Sequence, residues 1–332
     1  MRVLVVRCGA LGDLVYSTSV IDALKFEYGE GVQIDFVTTP SSAKLFDCDE
    51  RVHNVFLLKH KKVPIIFSSQ KKAVIKESQK EPYDLLINFE MGKQFKSFVE
   101  KIKAKRKAGW FCENINITKT HMVEICKEFY SNVISKENLD KSYPRLVGAK
   151  FDDIKTKFAL PDSYIIFSPS NSHNKKKGIN YRAWPHGHWK ELLTMIPNEM
   201  KVVMIGAKGE EAFFEPIKPY DDNVIDLVGQ VSIPQMVSVV ENAKALVVTD
   251  TGTAHIASAV STPVFCLIGP TPEEQTGPYK TPYNDVFIIK SGVKCSPCYK
   301  TKVMEECLDN ICMKNISAET VYYKIIEELD LH

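Results

Sequence analysis

The feature that most restricts this chain is a repeating alternation of short, β-branched apolar runs with amphipathic segments of helical length. In the first half the runs are RVLVVR (2–7), VQIDFVT (32–38), VHNVFLL (52–58) and YDLLINF (83–89). Runs separated by whole helices cannot be joined as hairpins, so they pair in parallel through crossovers. The centre of YDLLINF, residues 85–87, is wholly apolar, as a strand covered by helices on both faces requires. The spacing predicts helices over 13–28, 41–47, 68–80 and 119–135. After Pro161 the alternation restarts, with strands expected at 164–170, 201–206, 223–229, 245–250, 262–269 and 285–290. Helices are expected near 186–196, 209–217, 232–242, 252–260 and 317–331. At 332 residues the chain exceeds one ordinary core. Two α/β domains are therefore expected, 1–158 and 159–316, with FDDIKTKFALPDS as the linker and 317–332 able to pack back on the first. Two doubly wound parallel sheets facing across a cleft would bind ligands outside the carboxyl ends of their strands.

Composition narrows the partners. No apolar run approaches the ~20 residues that span a bilayer. The opening MRVLVVRCGALGD reads as a strand and not as a signal peptide, so a soluble cytoplasmic protein is expected. Net charge is +2, but residues 1–150 carry 25 Lys and Arg against 18 Asp and Glu, whereas 151–332 carry 18 against 23. The basic first half suits an anionic partner, either nucleic acid or a phosphorylated lipid surface. The acidic second half argues against nucleic acid. Lysines concentrate at 59–72 and 93–107.

Four stretches fall at strand-to-helix turns, where chemistry is expected. RCGALGD (7–13) places Gly9 and Gly12 in a tight turn and Asp13 at a helix start. An Asp there can cap the helix or act as a base. Its G-x-x-G spacing is not the G-x-G-x-x-G that a dinucleotide-dependent oxidoreductase would need. SPSNSHNKKKGINYRAWPHGHW (168–189) is a basic loop leading to a helix opened by Pro185, with Arg182 suited to bidentate phosphate contact. His173, His186 and His188 lack an accompanying carboxylate pattern and read as surface residues. GAKGEEA (206–212) puts Glu210 at another helix start. VVTDTGTAHIASAVSTPVFCLIGPT (247–271) ends a buried strand in Asp250, then opens a helix at Thr251, Gly252 and Thr253 with His255 one turn on, a seat for a diphosphate.

In this order the stretches resemble glycosyltransferase family 9, the ADP-heptose:lipopolysaccharide heptosyltransferases, over nearly the whole chain. D-T-G-x-x-H followed by G-P-T is the most specific element. The resemblance implies a GT-B fold, a donor bound mainly by the C-terminal domain, and inverting transfer without a catalytic metal. It implies that Asp13 is the general base and that Arg182 meets the donor diphosphate, flanked by Ser170 and Asn171, the latter where Thr or Gly is commoner. Glu210 would contact the adenosine ribose and Asp250 the heptose hydroxyls. Thr251, Gly252 and His255 would form the diphosphate-binding helix start. The acceptor implied is the phosphate-bearing lipopolysaccharide inner core, or a related glycan or protein, reached by peripheral contact with the inner membrane.

Nine cysteines are present, four of them within eighteen residues as Cys295, Cys298, Cys307 and Cys312. C-x2-C followed by two more thiols can hold one tetrahedral structural zinc or iron. Some family members that modify autotransporters carry a cysteine-bound iron. Free reduced thiols and disulfides are the other readings.

Overall fold

The structure, a computed structural model, describes residues 1–59, 68–171 and 178–329. Two compact units divide between Val147 and Gly148. In the first, parallel strands β1 (Arg2–Val6), β2 (Gln33–Thr38), β3 (Asn54–Leu57), β4 (Tyr83–Asn88) and β5 (Ala104–Gly109) form a sheet in the order β3-β2-β1-β4-β5. Central β1 pairs Val5 with Phe36 on one side and Ile87 on the other, and Val3, Leu4, Val5 and Val6 are fully buried. Because β2 and β4 leave β1 in opposite directions, the sheet has its switch point between β1 and β4.

The second unit repeats this design. Strands β6 (Tyr164–Ser168), β7 (Lys201–Met204), β8 (Val224–Asp226), β9 (Ala245–Thr249), β10 (Val264–Leu267) and β11 (Val286–Ile289) are parallel in the order β11-β10-β9-β6-β7-β8. Its switch point lies between β6 and β9. The expected class, two doubly wound parallel α/β domains, is the observed one.

Several details differ from the sequence expectation. The helix expected over 13–28 is two, Leu11–Ser17 and Ser19–Tyr28. Ser17 and Thr18 hydroxyls donate back to the Leu14 and Val15 carbonyls at 2.8 Å, a local competition that interrupts the helix. Strand β5, AKRKAG, was unexpected, since its lysines and arginine fall in a basic stretch that suits an anionic partner. It is an edge strand, and charge along an exposed edge discourages pairing with other chains. The proposed linker is the helix Phe151–Phe158, with Asp152 and Asp153 in its first turn and lysines in its last, as the helix dipole favours. It buries Ile154, and nearby Ala149 donates to the Pro234 carbonyl at 3.0 Å, so this segment belongs to the second unit.

The helix Ala318–Glu328 does not return to the first unit. It packs on the helix His186–Met195, and Ala318, Val321 and Ile325 share a core with Trp184, Trp189 and Leu192. The Trp184 indole N–H donates to the Ile316 carbonyl at 2.8 Å, fixing where this helix begins. Ile325→Ala should therefore destabilise the second unit by about 2–5 kcal/mol, the range for truncating a buried aliphatic side chain. Urea unfolding followed by tryptophan fluorescence would measure it, since Trp184 and Trp189 lie in that core. A change close to zero would mean the helix is not part of that core.

Candidate active site

In the first unit the turn after β1 and the end of β4 meet at the switch point. Arg7 follows the last residue of β1 and is buried. Its Nη2 lies 3.2 Å from Asp13 Oδ1, its Nε donates to the Asp13 carbonyl at 3.2 Å, and its Nη1 donates to the Phe89 carbonyl at 3.2 Å. Glu90 Oε1 is 3.9 Å from Nη1 and accepts the Cys8 N–H at 2.7 Å. Burial works to lower the Arg7 pKa, but the acidic groups around it, Asp13 and Glu90 among them, raise it on balance, so the guanidinium stays charged. Burial in turn pushes the Cys8 thiol well up and Cys126 up to about 11, leaving both neutral.

Asp13 is at the third position of the helix Leu11–Ser17, and its Oδ2 accepts the Ala10 N–H at 2.9 Å. It therefore caps the helix, yet its side chain stays 41% exposed. Gly9 is required by this arrangement. A Cβ there would come within 2.5 Å of the Asp13 Cβ and 2.6 Å of Oδ2. Gly12, inside the helix, is half-buried beside Asp13.

The second unit gathers its polar residues where β6 and β9 end. Ser170 and Asn171 follow β6 and are buried. Ser170 Oγ donates to Glu210 Oε2 at 2.7 Å, and the same oxygen accepts the Ala207 N–H at 3.0 Å, so Glu210 closes the turn after β7. Gly206 keeps that turn tight, because a Cβ would lie 2.7 Å from the Phe214 ring. Asn171 Oδ1 accepts from Asn180 at 3.0 Å. Asp250, beyond β9, is buried; its Oδ2 accepts the Thr271 hydroxyl at 2.7 Å and lies 3.4 Å from Arg182 Nη1. Thr251 caps the helix Gly252–Ser258 by accepting the Thr253 N–H at 3.2 Å, and His255 is buried one turn in. Ser170 thus contacts Glu210, and Arg182 and Thr271 both contact Asp250, with Asn171, Thr251 and His255 on the adjoining turns. His173 and the lysines at 175–177 lie outside the described residues, as do Lys61 and Lys62.

The sequence reading passed over three neighbours. Arg7 and Glu90 organise Asp13, and an Arg directly ending an all-apolar strand was the available signal. The third, Tyr299, has its ring centroid 4.8 Å from the Arg182 guanidinium carbon, with no sequence pattern to mark it.

These two sets of residues sit on sheets whose relatives can be named. The sequence model of glycosyltransferase family 9 (heptosyltransferase) matches residues 73–308. The chain belongs to glycosyltransferase family 9. Among curated relatives it is similar to lipooligosaccharide heptosyltransferase 2 of Haemophilus ducreyi, 26% identical and covering 88% of this chain and 90% of the relative. Among solved structures it is similar to the glycosyl transferase family 9 protein of Veillonella parvula (16% identical, TM-score 0.81, covering 99% and 97%). It is also similar to Escherichia coli heptosyltransferase WaaC with ADP-2-deoxy-2-fluoro heptose (20% identical, TM-score 0.70, covering 99% and 100%). The fold of this family 9 chain is the GT-B pair of parallel-sheet domains.

Of the three readings of the cysteines, the structural metal is not supported. Among the described residues no group of three or more His, Cys, Asp or Glu is arranged to hold a metal ion, and all nine thiols are free. Cys295, Cys298, Cys307 and Cys312 are neighbours all the same. Burial pushes Cys312 up to about 11, with the other three adding to the rise, and Cys298 rises for the same reasons. Alkylation needs the thiolate. At pH 8 iodoacetamide should therefore label exposed Cys295 well before Cys312, and Cys312 labelling should accelerate about tenfold per pH unit until near its pKa. Peptide mass spectrometry of the native protein would follow both. Equal rates at pH 8 would contradict the buried placement of Cys312.

Proposed function

We propose that this chain transfers a heptose from ADP-heptose to a hydroxyl of a lipopolysaccharide inner-core acceptor, inverting the anomeric carbon without a catalytic metal. The observation that carries the reading is the Arg182–Asp250 contact at the β6/β9 switch point, in a chain of a heptosyltransferase family. An arginine and a buried carboxylate side by side suit a donor that joins an anionic diphosphate to a polyhydroxylated sugar. Arg182 meets the diphosphate, with Ser170 and Asn171 beside it and the amides at Thr251 and Gly252, with His255, completing the seat. Asp250, oriented by Thr271, accepts from the heptose hydroxyls, and Glu210 from the adenosine ribose.

In the reaction the acceptor oxygen bonds to the anomeric carbon while the bond from that carbon to the β-phosphate oxygen breaks. The electron pair leaves with ADP. Arg182 and the helix-start amides stabilise the negative charge that grows on the departing diphosphate. Asp13 takes the acceptor proton. The exposed half of its carboxylate supports this role, while Arg7 and the Ala10 amide hold its orientation.

The reading extends to location: the enzyme works in the cytoplasm, in peripheral contact with the inner membrane. The helix Lys93–Lys101 buries Phe95, Phe98 and Val99 and exposes Lys93, Lys96 and Lys101, which suits phosphorylated glycan and anionic lipid heads. No helix among the described residues is long and apolar enough to cross a membrane.

Mass spectrometry of reactions with a panel of nucleotide sugars and a heptose-free lipopolysaccharide acceptor tests the assignment. Transfer from ADP-heptose is expected, and transfer from another sugar nucleotide alone would overturn it. Asp13→Asn should lower kcat by about 100-fold or more, as loss of a general base does, while ADP affinity stays within about twofold. A few-fold loss of turnover would leave Asp13 a helix cap only. Arg182→Ala should weaken ADP binding about tenfold or more by calorimetry.

A further inference from the structure

The segment that carries the four cysteines wraps the residues on either side of Arg182. Tyr181 donates its hydroxyl to the Cys307 carbonyl at 3.1 Å, and Asn310 donates its side-chain amide to the Ala183 carbonyl at 3.4 Å. On the opposite flank Cys298 and Tyr299 both donate their N–H groups to the Pro270 carbonyl at 2.9 Å, and Ser296 Oγ donates to the Gly269 carbonyl at 2.6 Å. A Cβ on Gly269 would lie 2.6 Å from the Met313 sulfur and 3.0 Å from Cys312 Sγ, so the segment closes directly on the G-P-T turn. That turn supplies Thr271, which holds Asp250. The cysteine-bearing segment is therefore fastened to the residues beside Arg182 and to the turn that holds Asp250, and it places the Tyr299 ring under the Arg182 guanidinium at 4.8 Å.

We infer that Tyr299 is a positioning residue for donor binding, whose ring holds the Arg182 guanidinium by its face so that its edge is presented to the diphosphate. The inference rests on the reading of Arg182 as a diphosphate ligand. The need for such a support is physical. Arg182 is 19% exposed and Asp250 5%, so the ion pair is poorly screened, and Asp250 pulls Nη1 toward itself with both Oδ2 and, at 3.5 Å, its carbonyl. A guanidinium held only by that carboxylate would turn its donors inward. An aromatic face attracts the cation without using any N–H, so it fixes the plane and leaves the donors for a ligand. Arg182 Nε is buried without a hydrogen-bond partner among the described residues, as expected of a donor kept for something else. Lys300 Nζ lies 5.1 Å from the same ring and shares its field.

The test is a double-mutant cycle on ADP affinity, measured by calorimetry with the full-length protein. Tyr299→Leu should weaken ADP about 3- to 30-fold, the span of a partly desolvated cation–π contact. Tyr299→Phe should restore binding to within about twofold of the parent, because the face and not the hydroxyl acts. In an Arg182→Ala background Tyr299→Leu should cost nothing further. A shape-preserving second probe guards against misfolding: progressively fluorinated phenylalanines at position 299 should weaken ADP in step with the loss of negative charge on the ring face, and should do so in a Lys300→Ala background too. Affinity independent of fluorination, or equal losses from Tyr299→Leu with and without Arg182, would overturn the inference. If Arg182→Ala itself leaves ADP affinity unchanged, the donor-site reading fails first, which separates the two failures.

Discussion

A parallel strand buried on both faces seldom carries polar side chains away from its ends, and the central strands of both units follow that restriction. The inner strands β1, β6 and β9 are sealed by helices, with Val3–Val6, Ile165–Phe167 and Ala245–Val248 all fully buried. Polar groups are confined to where these strands stop. In each sheet the chain also reverses its direction of winding at one gap, β1/β4 in the first and β6/β9 in the second, so the loops there diverge and leave backbone and side chains accessible. The catalytic proposal depends on this restriction, because it leaves few positions where a carboxylate and a cation can share a strand mouth.

The two mouths use the same pair of residue types differently. Asp13 is paired with Arg7, Asp250 with Arg182. In the first unit the arginine is the more buried partner and the carboxylate the more exposed, 10% against 41%. In the second the order is reversed, 19% against 5%. An interior cation beneath an accessible carboxylate orients a group that can exchange protons with an acceptor. An interior carboxylate beneath a more accessible cation orients a group that can meet an anion. The proposed assignment of base and diphosphate ligand, implied first by the family resemblance, is consistent with this inversion.

The fold class was legible because β-branched runs at crossover spacing admit few other arrangements, and the strand-end motifs were legible because glycine and short polar residues mark tight turns. What escaped was decided by tertiary context. Strand β5 carries Lys105, Arg106 and Lys107, a composition that favours no strand; it forms because β4 offers an unpaired edge and because Lys107 Nζ can donate back to the Val99 and Glu100 carbonyls. FDDIKTKF was read as a linker although its charges are ordered for a helix, and only the packing of Ile154 shows which unit it joins. The terminal helix was allowed to pack back on the first unit, whereas its Val321 and Ile325 complete the core around Trp189. In the candidate site, Asp13, Arg182, Glu210 and Asp250 stood out by position; Arg7 lies in the same stretch as Asp13, marked only by following the apolar strand, whereas Glu90 and Tyr299 are 77 and 117 residues from the residues they serve, beyond any local pattern.

The cysteine segment shows how a residue pattern can be noticed for one reason and matter for another. Cys-x2-Cys with two further thiols reads as a metal loop, and the four side chains do approach one another closely enough for each to raise the pKa of Cys312. The segment's backbone is fastened by hydrogen bonds of its own. Its backbone is tied at Pro270 by two N–H groups, at Tyr181 through the Cys307 carbonyl, and at Ser291 through the Cys312 carbonyl at 2.9 Å. Cys312 and Met313 pack as small hydrophobes against Gly269, in the same core as the terminal helix. Thiols suit this position because they fill space between a turn and a helix without demanding hydrogen bonds. The segment so fixed then spans from that core to the face of Arg182.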